Sequence, residues 1–349
     1  MFGLFKSAQP SKLTIEGIDG EFEVKPKETI LAAALRQGVR FPHSCRVGGC
    51  ATCKCQLKIG KVKELTSAAY ILSKEDLDQS YILGCQSIPK GDVTIRIDSL
   101  VDGVGAAPVA TAGRIIGKDK LTHDIVKIDV ELDNSMTYLA GQYALLSVPG
   151  LIDAPRSYSF ATPTGNQGGR YLTFFIREVA GGEMSTWMNE SAETGQSIVV
   201  EGPYGDFYLR NSDKPLILIA GGSGLAPILA ILEDALQFKN PRDVTFLFGA
   251  RTQNDLYCLD QIIRIQDNWA GKFEFIPVLS AEPEESDWQG ERGFITESLK
   301  RFAGPNKQAY LCGPPPMLDA AEAVLNDAGI SINDVFSDKF LDRSYGTSK

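Results

Sequence analysis

Four of the chain's seven cysteines crowd into one short stretch, "HSCRVGGCATCKCQ", residues 43–56. Thiols at that density leave few options: a metal loop, a set of disulfides, or a group of small buried side chains. Cys45, Cys50 and Cys53 follow the spacing C-x4-C-x2-C, and Cys85 comes well downstream in "ILGCQS". One tight triple with one distant cysteine is the plant-type spacing in which four thiolates hold a [2Fe-2S] cluster. Zinc sites prefer two short Cys pairs, or a Cys pair with a His pair, and fit badly here. An inert thiol group is the third option. A Rieske centre needs two His ligands, and the chain's only two, His43 and His123, fall in different expected domains. Gly48 and Gly49 let the loop turn its amides toward sulfur without a side-chain clash. Cys55, alternate to Cys53 on the strand leaving the loop, reads as a small buried residue, as does Cys258.

The setting favours metal over disulfides. The opening "MFGLFKSAQPSK" lacks the apolar core and small-residue cleavage site of a secretory signal, so a cytoplasmic, reducing environment is expected. No apolar run approaches the roughly 18 residues of a membrane span. A net charge of -9 argues against a general nucleic-acid or membrane-surface binder.

At 349 residues the chain has room for two or three domains. "LTIEGIDGEFEV" reads as two strands around Asp19-Gly20. "KETILAAALRQGV" follows as a helix ending at Gly38. With the cysteine loop and the strands "QLKIGKV" and "VTIRID", this makes an α+β domain over 1–101. The small, Gly- and Ala-rich stretch 102–112 reads as a linker. Residues 113–212 hold short strands punctuated by turns, a β-barrel pattern. From 213 to 349 strand and helix alternate, as in a parallel sheet wound with helices.

Several segments there suit nucleotide ligands. In "RSYSF", residues 156–160, an Arg can pair with pyrophosphate, a Tyr can lie on an aromatic ring, and a Ser can bond a flavin edge. "GGEMST", residues 181–186, offers glycines and hydroxyls to a second phosphate region. "LILIAGGSGLAPILAIL" is strand, glycine turn and helix, with Pro227 near the helix start and pyrophosphate expected at the first-turn amides. "YLCGPPPM", residues 310–317, ends a later strand, a usual ligand position in such sheets.

Taken in order, C-x4-C-x2-C…C, R-x-Y-S, G-x-x-S, A-G-G-S-G-x-x-P and Y-L-C-G-P-P-x-M resemble the reductase components of bacterial multicomponent oxygenases. Phenol hydroxylase, benzoate dioxygenase and soluble methane monooxygenase reductases share this plan, within the ferredoxin–NADP reductase superfamily. The likeness spans nearly the whole chain, including "DWQGERGF". It implies a β-grasp ferredoxin domain, a six-stranded antiparallel flavin-binding barrel and a parallel α/β nicotinamide-binding domain. It places Cys45, Cys50, Cys53 and Cys85 on the cluster. Arg156, Tyr158 and Ser159 would hold FAD phosphate, ring and ring edge, while Arg177, Gly182, Met184 and Ser185 would line its ribityl and phosphate groups. Gly222, Ser223, Gly224 and Pro227 would receive the nicotinamide nucleotide, with Cys312, Gly313, Pro314 and Met317 around its nicotinamide half. Phe340 matches an aromatic placed near the flavin. Ser159, Cys312 and Phe340 would stand at the reacting atoms.

The implied activity carries electrons from NADH through FAD to the cluster, and on to a terminal oxygenase that oxidises an aromatic or hydrocarbon substrate. The chain itself offers no 2-His-1-carboxylate set and no E-x-x-H pair to activate oxygen. Arg251, in "RTQNDL", keeps NADPH open beside NADH, although Asp255 is close in sequence. Arg36, Arg40, Arg46, Lys54, Lys58, Lys61 and Lys63 fall in a stretch without carboxylates, either a solvated face or a basic rim that docks the oxygenase transiently. A monomer is expected. Two alternatives stay open: a reductase of this architecture serving a deoxysugar dehydrase or acting alone on small acceptors, and a non-enzymatic iron–sulfur or zinc module with a nucleotide-sensing domain.

Overall fold

The computed structural model describes residues 9–43, 46–49, 51–98, 108–165 and 168–340. Contacts divide the chain into two units, Met1–Pro108 and Val109–Lys349.

In the first unit, β1 (Ser11–Ile15) and β2 (Phe22–Val24) form the expected hairpin. Helix α1 (Ile30–Arg36) starts where the Thr29 hydroxyl accepts the Ala32 amide at 3.3 Å, and it buries Ile30, Leu31, Ala34 and Leu35. The cysteine loop leads into β3 (Lys54–Ile59) and β4 (Val62–Glu64). A short helix α2 (Lys74–Asp78), capped reciprocally by Ser73 and Asp76, precedes β5 (Tyr81–Leu83), β6 (Ser87–Pro89) and β7 (Val93–Arg96). The main sheet runs β2-β1-β7-β3-β5, with β1 and β7 parallel and the other pairs antiparallel. Helix α1 packs across the turn bearing Cys85.

The second unit opens with β8 (Val109–Lys120), β9 (Ile125–Leu132), β10 (Tyr143–Val148), β11 (Ile152–Ser159) and β12 (Tyr171–Arg177). Helix α3 (Glu183–Glu190) and β13 (Ser197–Tyr204) complete this part. The strands form one antiparallel sheet in the order β11-β10-β13-β8-β9-β12, and a bridge between Phe160 and Phe174 joins its two ends into a barrel. Strand β8 begins inside residues 102–112, read above as linker. Backbone pairing of Val109 and Thr111 with Gly202 and Val200 makes a strand of a segment whose small side chains hide any alternation. The boundary expected at residue 101 lies outside the described residues.

The remainder is β14 (Leu216–Gly221), α4 (Leu225–Gln237), β15 (Val244–Ala250), α5 (Leu259–Asn268), β16 (Phe273–Leu279), β17 (Glu291–Arg292), α6 (Ile295–Leu299), β18 (Gln308–Gly313), α7 (Pro315–Asp327) and β19 (Val335–Lys339). Every strand pair is parallel, in the order β17-β16-β15-β14-β18-β19. Strand β14 is buried throughout, as its unbroken apolar run requires in a sheet covered on both faces. Connections leave β14 toward β15 on one side and return to β18 on the other. The crevice at the C-terminal ends of β14 and β18 is therefore the topological switch point, where such sheets bind ligands. Although barrel and sheet read as separate domains over 113–212 and 213–349, they pack here as one unit.

Candidate functional site

Cys53 and Cys85 are buried and lie on adjoining backbone, for the Gly84 amide donates to the Cys53 carbonyl at 3.0 Å. Gln86 ties this region together: its side-chain amide reaches Cys85 Sγ at 3.6 Å, and its Oε1 accepts the Thr66 hydroxyl at 3.0 Å. Gly48, with φ +84°, closes over Gln86, since a side chain there would place its first carbon 2.7 Å from Gln86 Cγ. Sheltered thiols with an amide donor on one sulfur suit an iron–sulfur cluster, whose potential responds to such hydrogen bonds. Cys45 and Cys50 lie outside the described residues. Cys55 is fully buried; burial, then the nearby Cys85, pushes its thiol above the ordinary value and keeps it protonated. Gln86 carries no cysteine signature; only its place beside Cys85 could have flagged it.

The basic stretch is less charged than its sequence suggests. Arg36 pairs with Glu28 at 2.8 Å and Lys54 with Asp76 at 2.8 Å, carboxylates from flanking segments. Lys58, Lys61 and Lys63 remain exposed. Val47 in the cysteine loop and Leu65, whose amide donates to Gln86 O at 2.8 Å, add exposed apolar surface next to Cys85.

In the barrel, β11 presents Arg156, Tyr158 and Ser159. Arg156 donates only to the Ala154 and Pro155 carbonyls, both at 3.0 Å, and makes no ion pair among the described side chains. Tyr158 is half-buried against the barrel core, as is Trp187 of α3. The segment "GGEMST" is the start of α3 rather than a loop, with Gly182 as an N-cap that offers no side chain to the first-turn amides. Such an end attracts phosphate. A guanidinium without an ion partner, two half-buried aromatic side chains and this helix end are groups of the kind a flavin dinucleotide uses. Two of the expected residues have their side chains engaged within the protein. Ser185 accepts the Val179 amide and donates to the Gly182 carbonyl, each at 3.1 Å, and Met184 is packed in the barrel core. Their periodicity is helical, and the helix turns them inward.

Gly222, Ser223 and Gly224 form a tight turn between β14 and α4, with Pro227 in the helix's first turn. A side chain on Gly224 would set its first carbon 2.3 Å from the Cys312 carbonyl oxygen, so helix and strand meet here without room for one. The same close approach brings "YLCGPPPM" beside the turn. Met317 fills the space over Gly221, and the Phe340 amide donates to the Gly313 carbonyl at 3.0 Å. Pro314 caps α7. The Cys312 side chain is fully buried; burial, then Asp338 beside it, pushes its thiol well up. Its carbonyl oxygen is the atom nearest the place a Gly224 side chain would begin.

A polar network joins barrel and sheet beside this turn. Arg177 of β12, expected beside a flavin phosphate, donates its Nε to Asp124 at 3.0 Å, and its Nη1 lies 3.4 Å from where a Gly222 side chain would begin. Arg251 donates to Asp255 at 2.8 Å and to Asp124 at 3.2 Å, with His123 Nε2 at 3.2 Å. The guanidinium occupies the place a cation would take among His123, Asp124 and Asp255. Burial opposes ionisation of Asp124, but the Thr122 hydroxyl and the Arg177 charge outweigh it and hold the carboxyl below its ordinary range. Tyr257, between the ring of Phe175 on β12 and that of Phe248 on β15, was not visible in any motif.

Comparison with known proteins agrees with this geometry. Residues 13–90 match the 2Fe-2S iron-sulfur cluster binding domain, 112–208 the oxidoreductase FAD-binding domain and 218–323 the oxidoreductase NAD-binding domain. The chain is 43% identical over 342 residues to the xylene/toluene monooxygenase electron transfer component of Pseudomonas putida, covering 98% of this chain and 97% of that one. It is 33% identical to the phenol 2-monooxygenase reductase component of Pseudomonas sp. (strain CF600), over 97% and 96% of the two chains. Among solved structures, a cytochrome P450 reductase of Amycolatopsis superposes with a TM-score of 0.83 at 30% identity, covering 95% of this chain and 98% of that one.

Proposed function

The chain belongs to the iron–sulfur flavoprotein reductases that serve as electron-transfer components of multicomponent oxygenases, and from that premise we propose that it delivers electrons from NADH to a terminal oxygenase acting on an aromatic hydrocarbon. The observation that carries this reading is the seam of the second unit. There the glycine turn abuts barrel strand β12 through Arg177, so nicotinamide and flavin sites would adjoin.

When bound, the flavin accepts a hydride's electron pair and releases the electrons singly, as a [2Fe-2S] cluster requires. The protein's part is to bind and orient. Arg156 and the α3 amides would take the flavin's phosphates, Tyr158 and Ser159 its ring, and Ser185 stiffens the loop before α3. Gly222, Ser223 and Gly224 would receive the dinucleotide's pyrophosphate at the start of α4, and the first-turn position of Pro227 costs no hydrogen bond there. Cys45, Cys50, Cys53 and Cys85 would hold the irons, and Gln86 would donate to sulfur. Arg251 is neutralised by Asp255 and Asp124, which supports NADH over NADPH: a 2′-phosphate would have to displace both carboxylates.

For the acceptor, exposed Lys58, Lys61 and Lys63 with Val47 and Leu65 beside Cys85 suit an acidic partner face with an apolar centre. Turnover with that partner then weakens with salt while reduction of a small dye does not; equal insensitivity rejects the docking face. The likeness to a cytochrome P450 reductase gives a second acceptor class, a cytochrome P450. No helix among the described residues is long and apolar enough to cross a membrane, and a monomer in the cytoplasm is proposed, to be checked by sedimentation and fractionation.

Anaerobic titration with NADH tests the whole reading. Flavin absorption should bleach and an electron paramagnetic resonance signal from the reduced cluster should appear. Bleaching with an intact but silent cluster refutes the route. A kcat/KM favouring NADPH refutes the choice of nucleotide.

A further inference from the structure

The glycine turn is anchored from beneath by Tyr257. Its side chain is buried between two aromatic rings, Phe175 of the barrel at 5.5 Å and Phe248 of the sheet at 5.8 Å, both met edge-on. Its hydroxyl donates to the Gly222 carbonyl oxygen at 2.9 Å. Burial raises the phenol's pKa well above its ordinary value, so the group stays a neutral donor. Gly222 has φ +55°, a left-handed conformation. Its carbonyl also accepts the Leu225 amide that opens α4. Two donors thus fix the direction of one peptide.

That direction matters because C=O and the following N–H point opposite ways across a trans peptide. A Gly222 carbonyl drawn inward onto Tyr257 turns the Ser223 N–H outward, toward the crevice at the ends of β14 and β18. Amides presented from such a turn are the groups that meet phosphate oxygens. The ring's packing on Phe175 adds a second constraint: it sets the turn against β12, the strand that also carries Arg177.

We propose that Tyr257 is a positioning residue for the nicotinamide dinucleotide, holding the Gly222–Ser223 peptide so that its N–H faces the pyrophosphate and seating the turn against barrel strand β12. This rests on the reading of that turn as the nucleotide site. Tyr257 acts through Gly222, the one residue its hydroxyl bonds among those described.

The test is Tyr257→Phe in the holoenzyme, which keeps both ring contacts and removes only the hydroxyl. NAD+ affinity by calorimetry should weaken roughly fivefold, the range for one net hydrogen bond, and KM for NADH should rise by a similar factor. Flavin content should hold, and kcat at saturating NADH should change by less than the affinity does. Tyr257→Met, lacking ring and hydroxyl, should weaken NAD+ at least as much. A Tyr257→Phe protein that melts earlier yet binds NAD+ like the wild type has lost core packing alone, and that result overturns the role. If the wild type itself fails to bind NAD+, the nucleotide reading of the turn falls first.

Discussion

Replacing Gly224 with alanine probes the joint on which the nucleotide crevice depends. The added carbon would lie 2.3 Å from the Cys312 carbonyl oxygen, 2.5 Å from its carbonyl carbon and 2.8 Å from the Gly313 nitrogen. A carbon–oxygen contact relaxes at about 3.3–3.6 Å, so α4 and β18 must separate by about 1 Å. Neither side yields easily. The obstructing atoms are backbone of a strand paired to β14, and the first turns of α4 are buried through Leu232. Overpacking of a tight interior costs about 1–3 kcal/mol, which for a unit of this size lowers Tm by about 2–12 °C. Because the displaced helix start is also the proposed pyrophosphate site, NAD+ affinity should fall at least tenfold. Gly304→Ala, where nothing lies within 4 Å, is the control. Thermal melts and calorimetry on both variants decide the matter. If Gly224→Ala melts and binds NAD+ like the control, the close approach does not shape the crevice and the reasoning fails.

Cys85→Ser should abolish most of the iron and acid-labile sulfide. Cys55→Ser should retain both while losing about 1–3 kcal/mol by burying a hydroxyl; iron loss on changing Cys55 would contradict its assignment. Asp124→Asn should lower Tm, the stability lost being at most about 1 kcal/mol given its half-exposed arginine partners. The native carboxyl ionises below its unfolded value, so the stability it adds is complete above about pH 5 and drains away as pH falls through the lowered native value. The difference in Tm should therefore close in acid, and a gap that widens there would be contrary. Asp255→Asn removes one of Arg251's two carboxylates, and the ratio of kcat/KM for NADH over NADPH should shrink several-fold; an unchanged ratio would free Arg251 of any part in nucleotide choice.

Much of this molecule was readable because its chemistry is local in sequence. The cysteine spacing, the glycine turn and the alternation of strand and helix each arise from neighbouring residues, and the turn and the alternation appear where expected. Less legible were contacts made by register and topology. Glu28 and Asp76 neutralise Arg36 and Lys54 from outside the basic stretch, and Asp124 reaches Arg251 across more than a hundred residues. Tyr257 belongs to no motif because its role comes from Gly222 and Phe175, which the fold alone brings to it. That "GGEMST" begins a helix, which turns the Met184 and Ser185 side chains inward, was likewise set by packing against the barrel and not by the motif.

The barrel's strand order has one more implication. Strand β11 ends the row, and among the described residues its backbone pairing with β12 is confined to the Phe160–Phe174 bridge and the Ala161–Thr173 bond just beyond it, so the rim from Ile152 to Ser159 carries no hydrogen-bonded ladder on that side. Unsheltered rims recruit foreign strands, and Pro155 blunts this one only at a single amide. Since Arg156, Tyr158 and Ser159 lie on that strand, a flavin held by them, as proposed above, would also shield the protein from its own copies. Protein stripped of its yellow coenzyme should clump, and restoring the coenzyme should keep it dispersed.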